Sequence, residues 1–541
     1  MRRILTASDR ALLVEVDDLE SAVRLHAALE AAPPVGVVEL VPAERTVLVR
    51  CEPRRLPEVR IALERIALAA RTAAADRCVE IPVHYDGEDL DEVAEHLGLS
   101  PAEVAARHQT ATWRVAFTGF APGFGYLVGD DPVFDVPRRA SPRARVPAGA
   151  VALAGRYSGV YPRESPGGWR LIGRTDAALW DLDRDPPALL LPGTTVRFVD
   201  ASRAHPATAA DRRRGRPAPL EARAVDMPGD RGIAPAVEVI EPGLQLLVQD
   251  LGRPARAHLG VSASGAADRG ALRAANAAVG NGHGEAGLEL LGGGARLRLR
   301  GAGVLALAGA EVDAALVHAD GGVEPVPRGA PTAFREGDEL VTGFATRGVR
   351  ALVAFRGGLA LTPVLGSLAT DTLAGIGPRE LGGRALRAGD VVPLRGLSGV
   401  REAVAPWSPA PCALPAPGET VELRVVLGPR DDWFAADALD ALLGDEWAAT
   451  SRSDRVGIRL EGSRPLARAV PGELPSEGTE TGAVQVPPHG QPVVFLPDHP
   501  LTGGYPVIAS VVAADLDLAG QIPPGARVRF RLSGADVGRP S

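Results

Sequence analysis

Two distant stretches of the chain carry one pattern, Ser165-Pro-Gly-Gly-Trp-Arg-Leu-Ile172 and Leu501-Thr-Gly-Gly-Tyr-Pro-Val-Ile508. A strand-like run follows each at a similar spacing, Leu191–Phe198 after the first and Pro523–Phe530 after the second. Because a repeated order of motifs indicates duplicated structure, we expect two related β-barrels. Gly-Gly before an aromatic ring has two readings of equal weight: a backbone that approaches a ligand beside a stacking face, or a tight turn with a core aromatic ring.

The chain around these stretches is predicted to be mainly β structure, with α+β structure at its front. Residues 1–75 show a β-α-β-β-α order, which is typical of a ferredoxin-like module. In residues 76–200 two helices precede short strands that glycine and proline divide. The second helix is predicted to start at a capping box formed by Ser100 and Glu103 and to end near His108.

The second half begins after a segment without apolar periodicity. Residues 201–234 are rich in Ala, Arg, Asp and Pro, and they predict an interdomain linker. Residues 235–404 contain one strong helix pattern, which Asp268 caps, among short strands. A proline-rich joint leads from them into residues 405–541, the region of the second barrel pattern.

Composition excludes several classes of function. The 541 residues carry a net charge of −8, and all 59 basic residues are arginine. Without lysine there is no phosphate-loop, Schiff-base or biotin-bearing lysine, so biotin could arrive only on another chain. The acidic balance argues against nucleic-acid binding. Three scattered cysteines and the lack of an apolar run of about 18 residues predict a soluble, cytoplasmic protein with no membrane association.

The densest motif is the loop Gly119-Phe-Ala-Pro-Gly-Phe-Gly-Tyr126. Aromatic faces beside backbone N–H groups suit a flat polar ligand such as a lactam or ureido ring, whereas a well-packed surface loop is an equally good reading. Arginines from Arg138 onward could hold a carboxylate or phosphate, although solvation is the commoner fate of a single arginine. The ten histidines show no metal-ligand spacing, so no metal site is expected.

Two polar groups stand out in the second half. The stretch Gly260–Asp268 leads into a helix N-terminus, which can receive an anion but is also explained by ordinary capping. Near the chain end, Arg455, Gln485 and Asp498 precede the turn at residues 502–506, and a solvated face is the simpler reading of that set.

These motifs carry a resemblance to a known pair of families. The stretch Phe117–Leu127, with Pro137-Arg138, Ser165–Trp169 and Ile172–Thr175, resembles the allophanate hydrolase subunit 1 family, which includes the B subunit of 5-oxoprolinase and the KipI-type kinase inhibitor. The second half resembles the subunit 2 family, which includes the C subunit of 5-oxoprolinase and KipA-type proteins, through Val248–Arg253, Ser264–Asp268, Ser453–Arg455, Ser476–Gly478 and Thr502–Pro506. The resemblance implies cyclophilin-like β-barrels behind the small α+β domain.

The resemblance also implies an activity and its partners. The leading expectation is a fusion of the B and C subunits of a 5-oxoprolinase, which opens 5-oxoproline to glutamate with Mg-ATP and a separate LamB/YcsF-type protein as the remaining oxoprolinase subunit. One alternative is carboxyl transfer from carboxybiotin to urea or another amide, and another is a KipI/KipA-type protein that regulates a sensor kinase. The chain could also form a homo-oligomer through strands at the edges of its barrels.

Site residues follow from matching the motifs. The resemblance places catalytic roles on His108, Arg138, Asp268 and Asp498. It places substrate contacts on Phe120, Gly123, Tyr126, Gly167, Gly168, Trp169, Arg174, Arg455, Gln485, Gly503, Gly504 and Tyr505. Two loops depart from the family pattern, at Tyr157-Ser158 and at residues 498–502, and these departures concern the substrate more than the fold.

Overall fold

A computed structural model describes residues 2–69, 77–139, 141–202, 235–397, 400, 402–407, 413–472 and 474–534. Most of the predicted linker, residues 203–234, lies outside them, as do residues 408–412 of the proline-rich joint. The predicted fold class, mainly β with barrels and a small α+β domain in front, is confirmed. Within the described ranges, no helix has both the length and the apolar character needed to cross a membrane.

The small N-terminal domain packs two helices on a four-stranded antiparallel sheet. Its elements are β1 (Arg3–Ser8), β2 (Ala11–Glu15), α1 (Leu19–Ala31), β3 (Val37–Pro42), β4 (Thr46–Cys51) and α2 (Leu56–Arg65). The strand order is β1-β2-β4-β3. The predicted β-α-β-β-α order is therefore present, and β1, which the sequence did not predict, precedes it as an edge strand.

Both faces of this sheet are buried, which explains the unbroken apolar run of β2. Leu12 and Val14 face the two helices, whereas Leu13 points the other way and packs with Ala257 and Leu501 from the second half of the chain. A strand covered on both faces needs apolar residues at every position rather than at alternate ones. The small domain is thus fastened to the second half through its sheet.

The first barrel follows the small domain. Its elements are β5 (Cys78–Val83), α3 (Leu90–Leu97), α4 (Pro101–Thr110), β6 (Trp113–Thr118), β7 (Gly125–Gly129), β8 (Arg143–Val146), β9 (Ala150–Ala154), β10 (Tyr157–Val160), β11 (Ser165–Gly167), β12 (Arg170–Arg174) and β13 (Thr195–Asp200). Seven strands run in the order β12-β9-β10-β7-β6-β13-β5, and a bridge between His84 and Arg174 joins the two edges. The predicted capping box of Ser100 and Glu103 starts α4.

A β-sandwich occupies the middle of the chain. Its elements are β14 (Ala236–Pro242), β15 (Gln245–Gln249), α5 (Arg269–Ala278), β16 (Gly287–Leu291), β17 (Ala295–Arg300), β18 (Gly303–Glu311), β19 (Ala314–Val317), β20 (Val323–Pro325), β21 (Thr332–Phe334), β22 (Glu339–Thr342), β23 (Arg347–Phe355) and β24 (Val391–Pro393). Sheets of six and five strands enclose one apolar core. The helix α5, capped by Asp268 as predicted, packs Leu272 against Leu352 of the five-stranded sheet.

The last barrel is closed. Its elements are β25 (Thr420–Leu427), α6 (Ala436–Gly444), β26 (Trp447–Ala449), β27 (Gly457–Glu461), β28 (Glu477–Gly478), β29 (Ala483–Gln485), β30 (Val493–Phe495), β31 (Thr502–Gly503), β32 (Val507–Val511), α7 (Leu516–Ala519) and β33 (Arg527–Leu532). The strand order around the barrel is β25-β32-β29-β30-β27-β26-β33.

The two barrels have the same topology, as the repeated sequence pattern predicts. In each, the first strand pairs in parallel with the last, helical structure separates the first two strands, and a two-stranded ribbon leads into the Gly-Gly turn. A tryptophan opens the second strand of each barrel. The indole of Trp113 donates to the His108 carbonyl at 3.0 Å, and the indole of Trp447 donates to the Leu442 carbonyl at 3.2 Å, each five residues earlier.

Candidate functional site

The glycine-rich loop between β6 and β7 lies where three parts of the molecule meet. The backbone N–H of Phe120 donates to the Thr502 side-chain oxygen of the last barrel at 3.2 Å. The backbone N–H of Gly123 donates to the Leu259 carbonyl of the middle domain, also at 3.2 Å. Phe120 has a φ of 53°, a left-handed conformation that is strained for a side chain of this size. This loop is therefore held by both halves of the chain.

An aromatic cluster supports the loop from inside the first barrel. The rings of Phe124 and Tyr126 meet the Trp169 ring edge-on, with centroids 5.4 and 5.6 Å away. Phe120 meets Phe124 at 5.2 Å. Trp169 is only 6% exposed, so of its two predicted roles the structure places it in the packed core rather than on an open stacking face.

Tyr126 joins the two halves through its hydroxyl group. Its phenol contacts the side-chain hydroxyls of Thr502 and Ser476 from the last barrel, and the Arg138 guanidinium lies close enough to act on its charge. Burial raises the pKa of Tyr126 more than Arg138 and the two hydroxyls lower it. The phenol therefore stays protonated and can donate a hydrogen bond at neutral pH.

The two Gly-Gly turns, one in each barrel, have different surroundings. A Cβ at Gly167 would be 2.2 Å from the Tyr161 hydroxyl, and the Gly168 carbonyl accepts from the Arg139 N–H at 2.9 Å, so the first turn closes on protein. In the second turn, Gly503 pairs with Glu477, and Gln485 donates to the Tyr505 carbonyl at 3.1 Å.

Tyr505 is the exposed counterpart of Trp169. Its ring is 41% exposed, with the Arg468 guanidinium 5.9 Å from the ring centroid. Gly504 approaches the Leu474 carbonyl, at 3.4 Å from a built Cβ. Of the two repeated turns, it is therefore the second that presents an aromatic face to solvent.

Asp498 and Arg455 lie in a separate buried cluster that fastens the middle domain to the last barrel. Arg455 forms ion pairs with Asp498, at 2.9 Å, and with Glu289. Asp498 also accepts from the hydroxyls of Ser264 at 2.6 Å and Thr372 at 2.7 Å. Burial alone would lower the pKa of Arg455, but Asp498 and Glu289 hold it above its usual value. These groups satisfy one another and join the two domains, and the catalytic role expected of Asp498 and the substrate contact expected of Arg455 stay predictions.

Asp268 is also away from the junction. Its carboxylate accepts from the Ala271 N–H and from the Gln521 side chain, both at 2.7 Å, as the cap of α5. Burial and then the neighbouring Asp517 raise the pKa of Asp268 to about 6. The structure shows the capping role, and the catalytic role expected of Asp268 stays a prediction.

His108 lies inside the first barrel, away from the glycine-rich loop. Its ring nitrogens contact the Tyr85 and Ser158 hydroxyls, both at 2.9 Å, and the ring stacks on Phe198. Burial lowers its pKa to about 3, so the imidazole is neutral. Arg174 is on the outer surface, where it pairs with Asp86 at 2.9 Å. Neither residue lies at the junction, and the catalytic role expected of His108 and the substrate contact expected of Arg174 stay predictions.

The predicted residues therefore divide into those that meet at the junction and those that do not. Phe120, Gly123, Tyr126 and Arg138 lie at the junction. Gly167 and Trp169 pack behind it, against Tyr161 and Tyr126, and Gly168 bonds to Arg139. Gln485, Gly503, Gly504 and Tyr505 lie together on the last barrel, next to Thr502 or bonded to its turn. Sequence reasoning did not identify three residues of the small domain near the junction. They are Glu44, Arg45 and Thr46, from the turn before β4 and the start of that strand. Ser476 was visible as part of a family motif, but its contact with Tyr126 was not.

The described residues contain no group of three or more His, Cys, Asp or Glu side chains that could hold a metal ion. A cavity of about 170 Å³ adjoins the junction between the small domain and the last barrel. A second, open cavity of about 620 Å³ runs along residues 465–472 and 488–490.

Two family models match the chain on this architecture. The carboxyltransferase domain, subdomain C and D, matches residues 2–190, and the carboxyltransferase domain, subdomain A and B, matches residues 259–532. The chain belongs to this carboxyltransferase-domain family, and it carries both parts in one polypeptide.

Two of the chain's relatives are components of one enzyme. The chain is 35% identical to the C subunit of 5-oxoprolinase from Escherichia coli K12, over 54% of this chain and 90% of that protein. It is 50% identical to the B subunit of 5-oxoprolinase from Escherichia coli O157:H7, over 23% of this chain and 58% of that protein. A putative urea carboxylase of Emericella nidulans is 34% identical over 55% of this chain but only 24% of that protein.

A solved structure covers nearly the whole chain. The crystal structure of TTHA0988 is 38% identical, with a TM-score of 0.78, and the match covers 96% of this chain and 99% of that one. The arrangement of a small domain, two barrels and a sandwich in a single polypeptide is therefore shared with an experimental structure.

Proposed function

We propose that the chain is the fused B and C component of an ATP-dependent 5-oxoprolinase, which opens 5-oxo-L-proline to L-glutamate together with a separate LamB/YcsF-type subunit. The observation that carries the proposal is the bond between the two halves at the glycine-rich loop. The first half resembles the B subunit and the second half the C subunit, and the Phe120 N–H of the first donates to the Thr502 side chain of the second at 3.2 Å, beside the Tyr126 phenol. Two subunits that build one site have a reason to be fused.

The proposed reaction sets the requirements for such a site. The lactam amide of 5-oxoproline is resonance-stabilised, and transfer of the γ-phosphoryl group of ATP to its oxygen would make the ring carbon more electrophilic, with ADP leaving. Water would then attack that carbon and the C–N bond would open with the nitrogen leaving as the amine, which gives an acyl phosphate; a second water would release phosphate from it and leave the carboxylate of glutamate. Positioned hydrogen-bond donors that stabilise the charge on oxygen are the protein's main contribution to such steps.

The junction offers donors of the right kind. The protonated Tyr126 phenol can donate to an amide or carboxylate oxygen, and the Arg138 guanidinium beside it contributes positive charge. The aromatic cluster behind Tyr126 fixes its ring, which reduces the rearrangement that binding would need. We assign Tyr126 and Arg138 to substrate positioning.

ATP is not assigned to either cavity. The cavity beside the junction, about 170 Å³, is below the roughly 300–1,000 Å³ of pockets that hold drug-sized ligands. The second cavity is wide enough, but the arginine among its lining residues, Arg468, already donates to the Val486 carbonyl at 2.7 Å. A nucleotide site completed by the LamB/YcsF-type subunit is consistent with both observations.

A carboxyltransferase acting with carboxybiotin is the second candidate. The family description and the urea carboxylase relative favour it, but identity is higher, and coverage of the relatives more complete, for the oxoprolinase subunits. A regulatory role on a sensor kinase would require no substrate turnover at all, so one assay separates it from both enzymes.

The test is phosphate release from ATP in the presence of 5-oxoproline, with glutamate followed by chromatography, with and without the LamB/YcsF-type protein. Glutamate formation that needs both proteins supports the proposal. If folded proteins yield no glutamate, the oxoprolinase assignment fails, and carboxylation with a biotin carboxylase partner is assayed next.

Variants of Tyr126 test the assigned site within that assay. Tyr126→Phe should lower kcat/KM for 5-oxoproline at least about tenfold, because a hydrogen bond to a charged group contributes on this order. Tyr85→Phe is the matched control, since it removes a buried hydroxyl of the same barrel that contacts His108 rather than the junction. Equal activity of the two variants would remove Tyr126 from the site.

A further inference from the structure

Four non-glycine residues in the described part of the chain have a left-handed backbone, and all of them lie around one segment of the middle domain. Ala255 and Ser264, with φ of 62° and 52°, bound this segment. Leu365, with φ of 54°, packs against it, and Phe120, with φ of 53°, belongs to the glycine-rich loop that it contacts. Strained backbone persists only where its surroundings enforce it, and it concentrates at functional sites. We call residues 255–264 the bridging segment.

The first part of the bridging segment holds the first barrel. The Thr118 hydroxyl, at the end of β6, donates to the Ala257 carbonyl at 3.2 Å. The Leu259 carbonyl accepts from the Gly123 N–H, also at 3.2 Å. These two bonds lie on either side of Phe120 in the sequence, so the segment fixes both ends of the stretch that carries the Phe120 N–H.

The end of the bridging segment holds the last barrel. The Ser264 hydroxyl is buried and donates to the Asp498 carboxylate at 2.6 Å. Asp498 begins the loop of residues 498–502, and this loop ends at Thr502, whose side chain accepts from the Phe120 N–H at 3.2 Å. The bridging segment therefore contacts both of the loops that meet at the junction.

The hydroxyl group explains why a serine occupies the last position of the segment. Glycine adopts a positive φ about as readily as a negative one, whereas a side chain makes that conformation costly. Because glycine would take the backbone conformation of Ser264 without strain, the bond to Asp498 is what the serine adds. The strained conformation and this bond therefore belong together.

We propose that Ser264 is a positioning residue of the proposed site. Its bond to Asp498 fixes the bridging segment in the strained conformation, and the segment in turn holds the glycine-rich loop where Phe120 meets Thr502. The reaction that this arrangement serves rests on the proposed function, whereas the coupling between Ser264 and the loop rests on the contacts themselves.

Ser264→Ala removes the hydroxyl and keeps the strain. In the full chain assayed with the LamB/YcsF-type protein, it should lower kcat for 5-oxoproline between about tenfold and a hundredfold, because small displacements of positioned groups change rates on this order. The change in KM should be smaller, since no group that contacts the substrate is removed. Thr342→Val is the control and should keep kcat, because it removes a buried hydroxyl that accepts from the Ala295 N–H in the distant six-stranded sheet.

Ser264→Gly gives a readout that a merely structural role would not produce. It removes the same bond but also relieves the strain, so it should unfold at a higher urea concentration than Ser264→Ala. It should nevertheless be no more active than Ser264→Ala, because a relaxed segment no longer holds the loop. A structural role predicts instead that activity follows stability, and wild-type kcat in Ser264→Gly would overturn the proposal.

Thr372→Val separates the bridging segment from Asp498 itself. The Thr372 hydroxyl also donates to the Asp498 carboxylate, at 2.7 Å, but Thr372 lies outside the segment. Its loss should therefore lower kcat less than the loss of the Ser264 hydroxyl does. Equal falls in kcat for Thr372→Val and Ser264→Ala would assign the effect to Asp498 and overturn the role of the segment.

Hydrogen exchange in the full chain follows the coupling without turnover. The Gly123 N–H, which is bonded to the segment, should exchange faster in Ser264→Ala and Ser264→Gly than in wild type, because amides exchange through local opening, and it should be unchanged in Thr342→Val. If wild type forms no glutamate, the proposed function fails, and faster exchange at Gly123 still supports the coupling. Unchanged exchange in both Ser264 variants overturns the coupling, even in an active oxoprolinase.

Discussion

The backbone N–H of Phe120 donates to the side-chain oxygen of Thr502 at 3.2 Å, across 382 residues of sequence. Next to this bond, a Cβ at Gly119 would lie 2.3 Å from the same Thr502 oxygen. The glycine-rich loop of the first barrel and the Gly-Gly turn of the last one are thus so closely packed that a side chain at Gly119 would clash. The absence of a side chain at Gly119 is what allows the two halves to close.

Gly119→Ala should therefore destabilise the closed arrangement. Overpacking of a close contact costs about 1–3 kcal/mol, and urea unfolding would measure the loss. Thr502→Ala removes the clashing oxygen, so the double variant should be less destabilised than the sum of the single ones. Gly444→Ala is the control, because a Cβ there meets no atom within 4 Å. Equal unfolding free energies for Gly119→Ala and Gly444→Ala would contradict the contact.

The buried pairing of Arg430 with Glu477 predicts a second large effect. Arg430 is buried between the last barrel and the small domain, and it pairs with Glu477 and Glu15. Glu477→Leu should cost about 3–5 kcal/mol, because it leaves a buried guanidinium short of one partner. Replacing both residues, as in Arg430→Met with Glu477→Leu, should recover much of that loss.

An exposed ion pair provides the comparison for this experiment. Arg452 and Glu461 pair on the surface of the last barrel, where Glu461→Leu should cost less than about 1 kcal/mol. Denaturant unfolding of the four proteins would separate the two cases. A double variant as unstable as Glu477→Leu alone would show that lost packing, not the unpaired charge, determines the effect.

The buried His108 predicts a dependence of stability on pH. Burial lowers its pKa from 6.5 to about 3, so between these values the unfolded chain binds a proton that the folded chain does not. Stability therefore falls as pH falls through this window, by up to about 2 kcal/mol between pH 6.5 and pH 5. Above pH 6.5 this contribution is fully present.

His108→Gln isolates that contribution. Asp268 and Asp371 have pKa values raised to about 6, mainly by burial, and they act in the opposite direction in both proteins. The variant should lose less stability than wild type on going from pH 7.5 to pH 5, as measured by urea unfolding at each pH. An identical loss in both would mean that His108 is protonated in the folded state or takes no part.

The sequence predicted those features that local signals determine. The capping box at Ser100 and Glu103, the cap at Asp268 and the duplicated barrels depend on residues a few positions apart or on repeated order. It could not predict which of the two Gly-Gly aromatic rings would be exposed, because the burial of Trp169 comes from Phe124 and Tyr126 packing across the barrel.

Whether a site residue could be placed from the sequence also depended on whether its signal was local. Ser476 and Thr502 contact Tyr126 across more than three hundred residues, and no local pattern carries that information. For His108 a signal was available: it lies four residues after the buried Val104 on the same face of α4, which favours a core position over a ligand loop. The sequence did not predict β1. Among the described strands only β2 pairs with it, and most of its residues are partly exposed, so its sequence shows no clear apolar pattern.

The duplicated tryptophans allow the barrels to be compared within one molecule. Trp113 and Trp447 make the same hydrogen bond to a carbonyl five residues earlier, and a Cβ at Gly129 or Gly462 would lie within 3.0 Å of the respective ring. Each ring therefore packs directly on a glycine, Gly129 at the end of β7 and Gly462 just after β27. Trp113→Phe and Trp447→Phe remove one buried bond and part of the ring, which should cost about 2–4 kcal/mol in each barrel. Trp407→Phe, at an exposed ring, should cost much less.

Hydrogen exchange would locate each loss in the barrel that carries the change, since locally packed units open with their own free energies. A loss confined to one of the two variants would mean that the barrels share topology but not the packing that closes them.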